Sequence, residues 1–193
     1  ELGQIAKLVR GPFGGSLRKD IFTKTGYAVY EQGNVIKNNL NNFRYFISQE
    51  KFRGMARFTV GSGDILMSCS GTIGKFLTIP EKYEKGIINQ ALLKISPGKL
   101  ITTDYLQHVL SDYISQNIAR NTKGSAIKNI VAVALLKKIK ISVPSITEQR
   151  KIVERLDALT EKVRALQKLQ SETAADLTNL KQSILSKAFS GEL

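Results

Sequence analysis

The sequence is poor in the residues that carry most covalent and metal chemistry. Its 193 residues include one cysteine, Cys69, and one histidine, His108. A lone cysteine excludes an internal disulfide framework and any multi-cysteine metal site, and it fits a reducing cytoplasm. A lone histidine leaves Ser-His-Asp triads and His-rich metal sites without material. No apolar run approaches the roughly 20 residues that span a bilayer, and no signal peptide opens the chain. No membrane partner and no cofactor are therefore expected. The chain also opens without Met, as a processed product or a piece of something longer would.

What is present is apolar surface and positive charge. Apolar residues make up 42% of the chain, enough for a real core. The 29 Lys and Arg outnumber 16 Asp and Glu, a formal charge of +13. Such an excess suits a polyanion, nucleic acid before an acidic membrane surface. A cut at Pro144 separates two compositions. Residues 1–145 carry 21 Lys and Arg against 9 Asp and Glu, a net of +12, whereas residues 146–193 carry 8 against 7. All four prolines, and every glycine but Gly191, lie before the cut. The division predicts a basic, turn-rich domain over 1–144 and a charge-balanced appendage over 145–193.

The first part reads as mixed α/β, an α+β domain with a strong β component. Strands are expected at Tyr27–Tyr30, Ile65–Ser68, Lys75–Ile79, Gly86–Ile95 and Ile139–Val143, with Cys69 inside a strand as a small core residue. Thr102 or Thr103 can cap a helix carrying Tyr105, Leu106, Val109, Leu110, Tyr113 and Ile114 on one face. The stretch from Gly11 to Arg57 resists assignment.

The appendage is clearer. Ser145-Ile-Thr-Glu148 matches a capping box, no Gly or Pro interrupts the chain before Ser190, and Gly191 stands where a helix ends. About 45 residues at 1.5 Å each predict a rod of roughly 65–70 Å. With Leu156 at heptad position a, the a series runs Leu156, Val163, Gln170, Leu177, Ile184, and the d series Ile152, Leu159, Leu166, Thr173, Leu180. Such a stripe predicts a coiled coil between chains; the alternative is a helix folded back on its own domain. Gln170 and Thr173 form a central polar pair that can set register, but they meet in parallel and antiparallel pairings alike.

Several motifs fail as chemistry. Ser70-Gly-Thr-Ile-Gly-Lys75 lacks the phosphate-loop spacing and the Ser/Thr after Lys, and reads as a tight turn between strands. Gly61-Ser-Gly63 precedes a strand-like run where a dinucleotide fingerprint needs a helix. No Asn-Pro-Pro-aromatic run is present, and Asp20 with Glu31 lacks a nuclease-like acid-x-Lys spacing. His108 reads as structural or solvated.

DNA-reading chemistry is better represented. Lys37-Asn38-Asn39-Leu40-Asn41-Asn42-Phe43-Arg44-Tyr45 concentrates amides, cations and aromatics. Asn pairs bidentately with adenine and Arg with guanine, so this run can read base edges of double-stranded DNA. It can equally be an Asn-rich surface loop, since Asn tolerates left-handed turns. Arg10, Arg18, Lys19, Lys51, Arg53, Arg57, Lys75, Lys123 and Lys128 are candidate phosphate contacts, which position without specifying sequence; each can also be an ordinary solvated charge. Asn121–Asn129 is a second polar, basic loop.

Six segments together resemble one family. They are Gly11-Pro-Phe-Gly-Gly-Ser-Leu17, Gly63–Lys75, Ile88-Asn-Gln-Ala91, Gly124–Asn129, Ile141–Arg150 and Ser183–Leu193. In this order they are similar to the specificity subunit of type I restriction–modification systems. The resemblance implies a target recognition domain followed by a spacer helix in an antiparallel coiled coil, with no catalytic residues of its own. It further implies partner subunits: adenine methyltransferase subunits using S-adenosylmethionine, and ATP-driven restriction subunits. Such subunits carry two recognition domains and two spacers, so this chain reads as a half-length form or as half of a longer subunit. Its seam would then pair with a second copy, as a homodimer, or with the other half. Two rivals stand beside this reading: a coiled-coil adaptor with a nonspecific nucleic-acid-binding domain, and a nuclease using Asp20 and Glu31.

Overall fold

A computed structural model describes residues 1–120 and 132–191, which form two units: Glu1–Arg150, here the head, and residues 151 onward, here the rod. Among the described residues the head holds two four-stranded sheets. The first has the order β1 (Ala6–Arg10), β8 (Leu92–Pro97), β5 (Ile65–Ser68), β6 (Phe76–Thr78), all antiparallel. The second has the order β2 (Phe22–Thr23), β4 (Phe46–Ile47), β3 (Tyr27–Tyr30), β7 (Gly86–Ile88), with β3 and β7 parallel. Every residue of β5 is buried, so its run of apolar side chains is packed on both faces.

Both faces of the second sheet are covered. One cluster joins the sheets through Ala28, Tyr30, Leu66, Leu77, Ile88 and Leu92. On the opposite face Val29, Ile47, Met55 and Ile87 pack against Phe22, Tyr45 and Phe52. Two stacked ring pairs close that face, Phe22 with Tyr45 at 4.2 Å and Tyr27 with Phe52 at 3.9 Å between centroids. A buried polar knot sits in the first sheet. Lys94 pairs with Asp64 at 3.9 Å, Asp64 accepts from Ser96, and burial lowers the Lys94 ammonium pKa despite the carboxylate beside it.

The segment that resisted assignment from its sequence is built of short pieces. Between the strands lie 3-10 turns at Gly14–Leu17, Lys19–Ile21 and Ala56–Phe58, with α2 (Gln32–Ile36) and α3 (Gln49–Gly54). None is long enough to show a period. Gly11 packs so closely that a Cβ would stand 1.8 Å from the Asn89 carbonyl oxygen, which brings two of the segments carrying the family resemblance into contact.

Three expectations change. Gly86–Ile95 is two strands, because Asn89 turns the chain; its side chain accepts from the Ala91 N–H and its carbonyl from Leu92. The two halves join different sheets, a switch that an unbroken apolar run conceals. Among the described residues Ile139–Val143 joins no ladder. Ile139 accepts from the Leu2 N–H of α1 (Leu2–Ile5) and Ser142 from the Tyr105 hydroxyl, so its carbonyls are taken singly. Cys69 lies one residue beyond β5, buried, with its thiol pushed up to about 11 by burial.

Helix α4 (Thr103–Arg120) buries Tyr105, Leu106, Leu110 and Ile114, the face its spacing predicts. The Thr102 hydroxyl does not cap it and is buried without a partner among the described residues. Gln149, fully buried, fastens this corner: its Oε1 accepts from the Thr102 N–H and its Nε2 donates to the carbonyls of Leu100 and Pro144. After α5 (Val133–Lys137), α6 runs from Ile146 to Ser190 over 45 residues. Its capping box is formed: Ser145 Oγ accepts from the Glu148 N–H, and the Glu148 carboxylate accepts from the Ser145 N–H and hydroxyl. No helix among the described residues is long and apolar enough to cross a membrane.

Candidate nucleic-acid interface

The asparagine-rich run is presented by a residue outside it. Asn34 on α2 is buried, accepts from the Glu31 N–H, and donates through Nδ2 to the carbonyls of Asn39 and Asn42 at 3.1 and 3.0 Å. One amide thus holds both ends of the loop. Asn38 takes a left-handed conformation, φ 49°, and the Asn39 side chain accepts from the Asn41 N–H. These two asparagines act as turn residues. Asn41 and Asn42 are exposed, and among the described residues no hydrogen bond engages their side-chain amides. The run therefore divides: Asn38 shapes the loop through its backbone and Asn39 through its amide, while the side chains of Asn41 and Asn42 face outward.

Arg44 leaves the loop beside them. It is exposed and lies over the Tyr45 ring at 4.8 Å, and Tyr45 in turn stacks on Phe22. A guanidinium resting over an aromatic ring is restrained and loses less freedom on binding. Lys37, Asn39, Asn42 and Arg44 line one shallow cavity of about 220 Å³ with Glu31, Gly33 and Asn34. Burial raises the Glu31 carboxyl pKa, with Arg44 pulling the other way. Glu31 caps α2 within this loop system while Asp20 sits on a separate 3-10 turn. Among the described residues no cluster of three His, Cys, Asp or Glu can hold a metal ion.

The glycine turn after β5 borders the same region. Gly71 and Gly74 both take positive φ, the Ser68 Oγ accepts from the Lys75 N–H, and a Cβ on Gly71 would stand 3.4 Å from the Gln32 amide nitrogen. That places the exposed Lys75 on a turn next to α2. Chain order does not join α2 and the asparagine loop to this turn; the packing of α2 over β5 and β6 does so.

The remaining cations fall in three places. Arg18 and Lys19 are exposed at the turn preceding β2 and Lys24 just after that strand; Lys51 and Arg53 lie on α3, and Lys51 lines a cavity with Ile21 and Thr23. Arg57 lies elsewhere, lining a cavity with Lys7 and Lys137, two cations the sequence did not single out. Arg10 is half-buried and committed inward, donating to the Cys69 carbonyl at 3.3 Å near the Phe13 ring. Lys123 and Lys128 lie outside the described residues. On the rod, Ile152, Leu156, Leu159, Val163, Leu166, Leu177, Leu180 and Ile184 are all exposed, as are Gln170 and Thr173.

A basic α/β head that turns amides and a braced guanidinium outward, joined to a helix with an uncovered apolar seam, is the architecture of a nucleic-acid-reading module. The chain belongs to the family of type I restriction modification DNA specificity domains, which it matches over residues 1–173. It is 33% identical over 156 residues to the type I restriction enzyme EcoBI specificity subunit of Escherichia coli, covering 80% of this chain and 32% of that protein. It is 32% identical over 162 residues to the EcoKI specificity subunit of strain K12, covering 79% and 34%. The chain thus spans about a third of the length of these curated relatives. Among solved structures it resembles a chain from a type I R-M system studied for complex assembly and conformational transition, with a TM-score of 0.73 and 24% identity over 100% of this chain and 45% of that one. It also resembles the HsdS subunit of Thermoanaerobacter tengcongensis, TM-score 0.67 and 23% identity, over 100% and 44%. These structural likenesses extend the match to the fold of the whole chain, long helix included.

Proposed function

We propose that this chain is a non-catalytic DNA sequence reader of a type I restriction–modification complex. It acts in the cytoplasm, and its head recognises one half of a bipartite target. The observation that carries this reading is the asparagine loop: Asn34 holds the backbone, Asn39 shapes the turn, and Asn41, Asn42 and Arg44 face outward with bidentate groups. Lys37, Lys75, Arg18, Lys19, Lys51 and Arg53 supply phosphate contacts around it. The methyltransferase and restriction subunits bring the chemistry; this chain brings the address. The rod joins two heads through its seam, with a second copy or with the other half of a longer subunit. Each Leu, Ile or Val side chain fully buried there contributes about 1.5–3 kcal/mol, against roughly 4–15 kcal/mol for association.

Competition binding tests the reading. Duplexes selected from a random pool should outcompete scrambled DNA by ~10³-fold or more. Asn41→Ala should then change which duplexes are selected, while Lys51→Ala should weaken all duplexes alike and flatten the salt dependence. Equal binding to every duplex would instead favour the adaptor with a nonspecific basic domain.

A further inference from the structure

Among the described residues the cavity beside the asparagine loop is lined by one carboxylate, Glu31, with Lys37, Asn39, Asn42 and Arg44. A negative side chain on a candidate duplex-facing surface repels every phosphate that approaches it, so it weakens nonspecific binding. Capping α2 does not explain the choice, because Ser, Asn and Asp are the preferred caps. Nor is the charge neutralised in place. Burial raises the Glu31 carboxyl pKa and Arg44 lowers it, so the guanidinium is near enough to be felt. Yet among the described residues no ion pair within 4 Å reaches Glu31 from Arg44 or Lys37. Arg44 instead lies over the Tyr45 ring at 4.8 Å. A donor fork and an acceptor therefore share one space of about 220 Å³ without closing on each other.

Such a gap selects its occupant by polarity. A phosphate satisfies Arg44 and is repelled by Glu31, and a cation does the reverse. The group that satisfies both is neutral and offers acceptors beside a donor. Base-pair edges in the major groove have this form. Across a G·C pair the order is N7 acceptor, O6 acceptor, then the cytosine N4 amine. Arginine takes the two guanine acceptors as a fork, and a carboxylate accepts from the amine. The other pairs fit worse. A T·A pair keeps one acceptor for Arg44, the thymine O4, and gives Glu31 the adenine N6 amine. A·T and C·G each turn an amine toward the guanidinium and an oxygen toward the carboxylate.

We infer that Glu31 and Arg44 together read one G·C pair, Arg44 donating to guanine N7 and O6 and Glu31 accepting from the cytosine amine. This rests on the reading of the head as a duplex reader and adds a base pair to it. Glu31 becomes a specificity residue that acts as much by rejecting wrong pairs as by attracting the right one. The order of preference at that position is G·C, then T·A, with A·T and C·G last.

The test is the base-pair preference of the full chain, measured by competition against the best duplex from a random pool. One position of the selected sequence should hold G·C, and exchange there should cost on the order of 10-fold for T·A and more for A·T and C·G. Modified bases in that pair then probe each contact with the wild-type protein, so no variant has to fold. 7-Deazaguanine, which lacks N7, and a cytosine analogue without its 4-amino group should each weaken binding by about 10-fold. Hypoxanthine in place of guanine keeps the whole major-groove edge and should bind as G·C does. Glu31→Ser keeps a good cap for α2 and removes the carboxylate from the cavity. It should be indifferent to loss of the cytosine amine, still lose affinity with 7-deazaguanine, and bind scrambled DNA more tightly than wild type. Arg44→Ala should be indifferent to 7-deazaguanine and still sensitive to the missing amine. A wild-type chain that selects G·C nowhere, or that tolerates the missing amine at every G·C it selects, overturns the inference. So does Glu31→Ser that keeps the wild-type loss with that analogue, which leaves Glu31 as a cap alone. Equal binding to every duplex would remove the reading of the head itself, and the inference with it.

Discussion

Asn34 does more for the candidate interface than any residue inside the loop it serves. Its three hydrogen bonds tie Glu31, Asn39 and Asn42 together from a buried position. Asn34→Ala strands two carbonyls and one N–H, at about 1–3 kcal/mol of stability. Its larger expected effect is on discrimination: the preference for a selected duplex over scrambled DNA should fall more than the affinity for scrambled DNA, read by competition binding alongside denaturant unfolding. Asn34 escaped the sequence reading because one asparagine on a short helix looks like any other. The neighbouring run drew attention by density, yet density did not separate Asn39, which shapes the turn, from Asn42, which faces out. That division depends on which backbone groups lack partners, and a side chain cannot announce it.

Long elements declared themselves and short ones did not. The capping box, the 45-residue helix and its closing Gly191 appear where the pattern put them, because local hydrogen bonds and a sustained period act within one segment. The capping box also carries a pH signature. Hydrogen bonds from Ser145 hold the Glu148 carboxyl below its ordinary value of 4.5. A lowered folded pKa means the contribution is present above that ordinary value and lost as pH falls through the folded one. Protection of the first-turn amides of α6, taken as the exchange rate relative to the intrinsic rate at the same pH, should therefore fall on acidification below about pH 4.5 in wild type. Glu148→Gln should exchange faster at neutral pH and lose that dependence. Strands fared worse: Gly86–Ile95 and Ile139–Val143 have strand-like composition, but ladder membership is settled by which edges are vacant, a property of the whole sheet.

For the molecule as a whole, the seam sets assembly and the head sets recognition, and the two should separate by mutation. Leu159→Glu with Leu166→Glu removes two aliphatic layers from each chain, at roughly 3–6 kcal/mol per chain and so about 6–12 kcal/mol per dimer, on the order of four to nine orders of magnitude in dissociation constant. Sedimentation should show monomers, while near-UV dichroism and the thermal transition of the head stay unchanged. Surviving dimers would mean the seam is used otherwise.

The sequence by itself determined the basic head, the long capped helix and the spacing of its seam, because charge, caps and heptads are summed along neighbouring residues. It also held the six short segments that resemble a family, without saying that Gly11 meets Asn89. The tertiary structure alone decided which strands share a sheet, which cations gather around α2, and which asparagines are spent on their own backbone. Those outcomes depend on partners distant in sequence competing for the same buried hydrogen-bonding groups, and that competition is resolved only once the sheets have closed.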